Sequence, residues 1–160
     1  GRQRTGYTAP LAAGTKGMSG RKGIFASGAA PPVGAYPHAR RAGNLLFLSG
    51  IGPRPADGGA VPGTILDDRG CVIDYDIEKQ CHAVFGNVRA VLASAGATLA
   101  QLVDITVYLT DIRRDFTTFN RVYGEYFPEE GPSRTTVEVN RLPTPIAIEL
   151  KCVACFDDSD

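Results

Sequence analysis

The sequence predicts one two-layer α+β domain, in which two helices cover one face of a mixed β-sheet. The length of 160 residues fits a single compact domain. Two segments repeat apolar residues every three or four positions, which indicates amphipathic helices, and short apolar or alternating runs around them indicate strands. Because each helix carries one apolar stripe, both helices are expected on the same face of the sheet. The predicted order is β-β-α-β-α-β-β.

The chain ends are predicted to be tails. Residues 1–32 are rich in Gly, Ala, Ser, Thr and basic side chains and show no sustained apolar period, which indicates an N-terminal tail. Met18 offers an internal start, which would make residues 1–17 a leader. The domain is predicted over residues 33–156, and residues 157–160 are assigned to a short C-terminal tail.

The first half of the domain is predicted to hold two strands and a helix. The apolar run at 44–49 indicates a buried strand, and the Gly, Pro and Asp residues of 51–70 indicate a long surface loop or an irregular hairpin. A second short strand is predicted near 70–73. The helix begins after an acidic N-cap and ends at Gly96. Its apolar stripe consists of Ile77, Cys81, Val84, Phe85, Val88, Val91, Leu92 and Ala95.

The second half is predicted to hold a strand, a helix and two final strands. Residues 103–109 alternate apolar with polar side chains, as a strand with one buried face does. The second helix begins near Asp115 and is ended by Pro128. The final strands, 134–139 and 146–156, are joined by a Pro-containing turn. The second helix carries Phe116, Phe119, Val122, Tyr123, Tyr126 and Phe127 on its apolar side.

Charge and hydropathy exclude several classes of function. Seventeen Lys and Arg residues balance seventeen Asp and Glu residues, so no bulk field favours nucleic acid or an anionic membrane, and neither is expected as a partner. No apolar run approaches the roughly 20 residues that cross a bilayer, and the N-terminus lacks a secretory pattern. We therefore expect a cytoplasmic protein.

The four cysteines are expected to be thiols, mainly in the core, because they are too few for a disulfide scaffold. They are Cys71, Cys81, Cys152 and Cys155. Cys152 and Cys155 fall on one predicted strand, where residues three apart point to opposite faces, so they form no metal-binding pair. No metal site is expected.

The sheet face away from the helices is predicted to be too polar for a core and too aromatic for plain solvent, so water or another subunit must cover it. We expect Thr106, Tyr108, Arg134, Thr136, Glu149 and Lys151 on this face.

Pairing the last two strands as a hairpin brings two charges together. Aligning Val137 with Ile148 keeps their apolar faces together and places Thr136 opposite Glu149. Arg134 is then diagonal to Glu149, at the roughly 7–8 Å typical of such neighbours. The two groups either hold a small anion and a water between them or form a plain cross-strand ion pair.

Four segments carry a resemblance to a known family: AYPHARRAGNLLFLSG, NVRAVLASAGATLAQLVDITVYLTD, FTTFNRVYGEYF and GPSRTTVEVNRLPTPIAIELKCVA. From about Pro32 to Phe156 the chain resembles the Rid family of reactive intermediate deaminases, also called YjgF-like. The resemblance implies a chorismate-mutase-like α+β fold and a homotrimer with a site in each cleft between subunits. It also implies hydrolysis of a 2-imino acid, or of its enamine tautomer, to a 2-keto acid and ammonia without a metal or organic cofactor.

The resemblance implies a role for each residue at a matching position. Arg134 in PSRTT would grip the substrate carboxylate, and Glu149 in IAIELK would position the attacking water. Tyr36 in GAYPHA would line the cleft from the neighbouring subunit, and Asn120 in FTTFNRVY would lie near the pocket. Thr136 stands where family members often carry a cysteine, so a backbone N–H but no thiol is available there.

Two stretches, PHARRAG and SGIGPRPADG, resemble 2-aminomuconate deaminases more than the general 2-iminopropanoate type. Because 2-aminomuconate has two carboxylates, a second cation near the cleft is physically sensible. Arg54 is the candidate for that cation, and the alternative is a solvated loop charge. His38 is either an acid or base near neutral pH or a structural hydrogen-bonding residue.

The expected function is therefore deamination of 2-aminomuconate to the 2-oxo diacid of 4-oxalocrotonate type, in aromatic-ring catabolism. General deamination of 2-iminopropanoate and 2-iminobutanoate is the first alternative. A non-catalytic ligand-binding trimer is the second, and the presence of both Arg134 and Glu149 argues against it.

Overall fold

Two helices pack across one face of a six-stranded mixed sheet in the computed structural model, which describes residues 22–157. The predicted α+β class and two-layer arrangement are confirmed. In chain order the elements are β1 (Gly23–Ile24), β2 (Ala39–Ala42), β3 (Leu45–Leu48), β4 (Thr64–Leu66), β5 (Val72–Tyr75), α1 (Ile77–Ser94), a 3₁₀ turn (Leu99–Gln101), β6 (Leu102–Leu109), α2 (Ile112–Tyr126), β7 (Ser133–Glu138) and β8 (Ile148–Cys155).

Strand β6 lies inside the sheet and pairs with the last two strands on its two sides. The order across the sheet is β1-β2-β3-β8-β6-β7, with β6 antiparallel to β8 and parallel to β7. The parallel pair follows from chain order, because β6, α2 and β7 form a strand–helix–strand crossover. The predicted hairpin between the last two strands is therefore wrong, since β6 separates them.

This order also changes which face of the sheet carries two candidate residues. Arg134 lies beside Ile105 and Thr136 beside Val107 in the β6–β7 ladder. Ile105 and Val107 are fully buried against the helices, and paired residues share a face. Arg134 and Thr136 therefore lie on the helix side of the sheet, and their predicted placement on the opposite face is wrong.

The first half of the domain contains strands that the sequence pattern did not indicate. The strand predicted near 70–73 exists as β5, but it pairs with β4 in a separate two-stranded hairpin rather than in the main sheet. The main sheet is instead extended by β1 and β2. Because β1 begins at Gly23 and both Ala26 and Ala29 are buried, the folded unit starts before the predicted boundary at 33. Residues 1–17 and 158–160 lie outside the described part of the chain.

The helix ends have recognisable caps. Asp76 is the acidic N-cap of α1, and its carboxylate accepts a hydrogen bond from the Lys79 N–H. Gly96 follows the helix with φ of 75°, a left-handed conformation that favours glycine. Helix α2 is capped by Asp111, whereas Asp115, predicted near its start, is buried one turn further on.

One continuous apolar core lies between the helices and the sheet. Its largest members are Phe85 of α1 and Phe119 of α2, both fully buried. Cys81 and Cys152 belong to this core, whereas Cys71 is exposed and Cys155 is half-buried. No helix between residues 22 and 157 has the length and apolar character needed to span a membrane.

The amide of Gln80 links α1 to the segment that enters β8. Gln80 is buried, and its Oε1 accepts a hydrogen bond of 2.8 Å from the Ala147 N–H. Replacing Gln80 with Leu leaves that N–H buried without an acceptor, so Gln80→Leu is expected to lower the free energy of unfolding by about 1–3 kcal/mol. Chemical denaturation measures the loss. The neighbouring exposed variant Lys79→Ala serves as control, and equal losses in the two variants would contradict the role of the bond.

Candidate active site

Glu149 carries an isolated carboxylate near the start of β8. The side chain is half-buried, and no cation or hydrogen-bond donor contacts it among residues 22–157. Burial disfavours the charged form and raises the pKa of Glu149 above the ordinary value of 4.5. A carboxylate in this state accepts a proton more readily than an exposed one.

Gly50 makes room for this carboxylate. The segment after β3 runs beside β8, where Ile51 and Leu150 exchange two backbone hydrogen bonds of 2.9 Å. A methyl group added at Gly50 would lie 2.6 Å from Oε2 of Glu149, closer than carbon and oxygen can approach. Glycine at this position therefore lets the Glu149 carboxylate lie against the backbone, and a larger side chain would have to push it aside.

A small cavity of about 40 Å³ opens beside Glu149. It brings together three residues that the sequence predicted to share a site, because Tyr36 and Arg54 line it with Glu149. Tyr36 is 41% exposed, and its ring lies over Gly34 in a tight turn. The remaining lining residues are Val33, Gly50, Gly52, Pro143, Thr144 and Ile146.

Arg54 is held by the backbone of the N-terminal segment. Its guanidinium donates a 2.7 Å hydrogen bond to the carbonyl of Pro31, and it has no carboxylate partner in the described range 22–157. Arg54 is half-buried and is bound to this carbonyl, so part of its guanidinium is withdrawn from solvent. The remaining N–H donors of this guanidinium are available to an anion in the cavity.

The loop that carries Arg54 is fastened by a residue that the sequence pattern did not identify. Asn87 of α1 donates two hydrogen bonds of 2.8 Å, to the carbonyls of Gly52 and Arg54. A polar residue on an amphipathic helix ordinarily faces solvent, so the sequence held no signal for this contact.

Arg134 forms a second cluster with helix α2. Its guanidinium donates a 2.9 Å hydrogen bond to Oδ1 of Asn120, so these two candidate residues are neighbours. The guanidinium carbon lies 4.5 Å from the ring centre of Tyr123 and 5.4 Å from that of Phe119. Aromatic faces attract a cation, and together with Asn120 they fix its position while leaving other donors free.

Thr136 lies on the same side of the sheet as Arg134. Its hydroxyl is buried and has no hydrogen-bond partner within residues 22–157, and the same holds for the hydroxyl of Tyr123. The backbone of Thr136 belongs to the β6–β7 ladder.

The two clusters do not meet within one chain. Glu149 pairs with Tyr108, and Tyr108 pairs with Val137, so these three side chains share the face away from the helices. Arg134 is on the helix face of the edge strand β7, two strands from Glu149. The chain therefore holds two separate clusters: Arg134 with Asn120, and Glu149 with Tyr36 and Arg54.

Sequence comparison finds relatives along most of the chain. A sequence model of the family described as Endoribonuclease L-PSP matches residues 27–156. A RutC family protein of Pyrococcus abyssi is 39% identical over 131 residues, which cover 82% of this chain and 94% of that protein. The chloroplastic Reactive Intermediate Deaminase A of Arabidopsis thaliana is 34% identical over 135 residues, which cover 84% of this chain and 66% of that protein.

Solved structures with the same fold include two from E. coli. The YjgF gene product superposes with a TM-score of 0.71 at 30% identity and covers 84% of this chain and 98% of its own. TdcF, solved with bound serine, superposes with a TM-score of 0.73 at 28% identity and covers 85% of this chain and 99% of its own.

The close approach at Gly50 predicts a local effect on Glu149. Gly50→Ala is expected to displace the Glu149 side chain toward solvent, so the pKa of Glu149 should fall back toward 4.5. Carboxyl-carbon NMR titration measures this pKa. Gly86→Ala is the matched control, because an added methyl at Gly86 in α1 meets nothing within 4 Å. An unchanged pKa of Glu149 in Gly50→Ala would contradict the close contact.

Proposed function

Because the chain belongs to the Endoribonuclease L-PSP family, which contains the YjgF-like and Rid proteins, we propose that it hydrolyses a 2-imino acid, or the enamine tautomer, to a 2-keto acid and ammonia. The observation that carries the proposal is the unpartnered, half-buried carboxylate of Glu149, complemented by the guanidinium that Asn120 holds at Arg134. Relatives support it, since one is named a reactive intermediate deaminase and another was solved with the amino acid serine.

We further propose that each site joins Arg134 of one subunit to Glu149 and Tyr36 of a neighbour, in a homotrimer. The opposite orientations of Arg134 and Glu149 support this arrangement, since no single chain can hold one substrate between them. The face around Glu149 also carries Tyr108 and the exposed Phe47, a surface that a second subunit would cover.

The reaction needs a group that binds the substrate carboxylate, a base that deprotonates water and an acid that protonates nitrogen. The Arg134 and Glu149 clusters would supply these groups. Arg134 would bind the substrate carboxylate and so place the imine carbon C2. Glu149 would take a proton from a water molecule as its oxygen bonds to C2. The same carboxyl group would return that proton to nitrogen, which gives an intermediate with a hydroxyl and an amino group on C2. The carboxylate would then take the hydroxyl proton and pass it to the amino nitrogen as the C–N bond breaks, so that ammonia leaves and the keto group forms. The step consumes one water and requires no metal or organic cofactor.

Burial of Glu149 suits this role. A raised pKa makes the carboxylate a stronger base, and the group still loses its proton as the pH rises above that pKa. Activity that depends on the ionised form should therefore fall as the pH drops through the raised pKa.

For the substrate, we propose 2-aminomuconate, with Arg54 binding the second carboxylate. The support is the half-buried guanidinium without a carboxylate partner in the described range, on the same small cavity as Glu149. Its loop position allows it to reach over the site.

General deamination of small imino acids, such as 2-iminopropanoate, is the second candidate. Two observations favour this candidate. The cavity beside Glu149 is only about 40 Å³ in the single chain, and the Arg54 guanidinium already donates one hydrogen bond to the carbonyl of Pro31.

Mixing two inactive variants tests the shared site. Arg134→Ala and Glu149→Gln are each expected to abolish ammonia release while keeping the fold. When the two are unfolded together and refolded, random assembly should restore activity at roughly a quarter of the sites, because one subunit supplies Arg134 and its neighbour Glu149. The double variant Arg134→Ala/Glu149→Gln, refolded alone, is the control. No recovery in a mixture shown by mass to contain mixed oligomers would contradict the shared site.

Arg54 separates the two candidate substrates. If it binds the second carboxylate, Arg54→Gln should lower kcat/KM for 2-aminomuconate about tenfold or more, since a hydrogen bond to a charged group contributes about 1.5–3 kcal/mol. The value for 2-iminopropanoate should change little, because that substrate has one carboxylate. Steady-state ammonia release measures both, and equal losses on the two substrates would assign Arg54 to the loop contact alone.

A further inference from the structure

His38 contacts a long segment that contains no helix or strand. This segment, residues 25–37, leads from β1 to β2, and we call it the strap. It carries Tyr36 and Val33, both of which line the cavity of Glu149. The strap contains no helix or strand, so side-chain contacts must hold it in place.

The ring of His38 fastens the strap at two points. Its Nδ1 accepts a hydrogen bond of 3.0 Å from the Ala26 N–H, and its Nε2 lies 2.8 Å from the carbonyl oxygen of Ala30. A carbonyl only accepts, so Nε2 must carry the proton, and Nδ1 must be unprotonated to accept from Ala26. Both contacts are satisfied only by the neutral ring with its proton on Nε2. Phe25 packs its ring edgewise against His38.

This geometry excludes His38 as an acid or base toward substrate. The residue is only 6% exposed, and both of its ring nitrogens are occupied by backbone groups. A proton-transfer group needs one nitrogen within reach of the reacting atoms.

Two further bonds fasten the other end of the strap. Arg54 donates to the carbonyl of Pro31, and the Ser49 hydroxyl donates a 2.7 Å hydrogen bond to the carbonyl of Pro37. Tyr36 therefore lies in a short free span between two fixed carbonyls. The bonds from His38 to Ala26 and Ala30 fix the part of the strap that leads into this span.

We propose that His38 is a positioning residue, which in its neutral Nε2–H form fixes the strap so that Tyr36 closes one wall of the Glu149 cavity. The kinetic part of this inference rests on the proposed function, whereas the placement of the strap does not. Loss of the His38 ring frees Ala26 and Ala30, and the strap then carries Tyr36 away from the cavity.

A double-mutant cycle tests whether His38 acts through Tyr36. Tyr36→Ala and His38→Ala are each expected to lower kcat/KM for deamination roughly tenfold to a hundredfold, as misplaced site walls do. If His38 acts only by placing Tyr36, the double variant should lose no more than the Tyr36→Ala variant alone. Losses that multiply would overturn the proposal.

Control variants separate positioning from general instability. His38→Asn keeps an acceptor for the Ala26 N–H and should recover part of the lost kcat/KM. Asp76→Ala removes a helix N-cap elsewhere, should lower the melting temperature and should leave kcat/KM unchanged at temperatures where the protein is folded. His82→Gln changes the only other histidine of the chain, on the surface of α1, and should also be neutral. Equal kcat/KM losses in the Asp76→Ala and His38→Ala variants would overturn the proposal.

NMR supplies a readout that does not need the reaction. Nitrogen-15 spectra of the His38 ring should show the Nε2–H tautomer in the wild-type protein. In His38→Ala the Tyr36 ring signals, assigned with Tyr36→Phe, should shift, and the Ala26 amide should lose protection from exchange. A wild-type protein without deaminase activity would contradict the proposed function but leave this test intact. The other tautomer, or unchanged Tyr36 signals in His38→Ala, would overturn the placement of the strap.

Discussion

The pairing of β6 with both β7 and β8 is the constraint on which the rest of the site depends. Because α2 crosses between β6 and β7, β7 must run parallel to β6 at the sheet edge, and β8 must pair on the other side. The same register turns Arg134 toward helix α2 and Glu149 toward the open face. Two charges that lie fifteen positions apart in the chain are thereby held on opposite faces of one sheet, and in the proposed site a second copy brings them together.

The Arg134 and Glu149 side chains are each held in place for a different physical reason. Arg134 is held by attraction, because its guanidinium donates a hydrogen bond to Oδ1 of Asn120 and lies near the faces of Tyr123 and Phe119. Glu149 is placed by packing, because its carboxylate lies against the backbone of Gly50. It contacts no hydrogen-bond donor in the described chain. In the proposed reaction the Arg134 guanidinium binds the substrate carboxylate, and the Glu149 carboxylate takes a proton. The wall that faces Glu149 is a strap without regular structure, and it depends on the single ring of His38 for two of its contacts.

Much of the fold was predictable because periodicity reports burial. The stripes of α1 and α2 and the alternation along β6 follow from the need to bury one face of each element, and all three elements formed near the predicted bounds. The short strands β1, β2 and β4 were not predicted, because an alternation of apolar and polar residues cannot be recognised over two to four positions. The hairpin predicted for the last two strands was wrong for a related reason: apolar faces align equally well with two different partners, and only the crossover through α2 selects one.

By itself the sequence determined which reactive side chains are present: an arginine, a glutamate, an asparagine and a tyrosine in a pattern that resembles one family, on a chain of balanced charge. Only the tertiary structure decided that Glu149 lies away from Arg134, that Arg54 contacts Pro31 and that His38 faces backbone on both sides. The reason is that residue types are local properties of a chain, whereas the face on which a side chain emerges depends on which strand lies beside its own, and that choice is made by contacts distant in sequence.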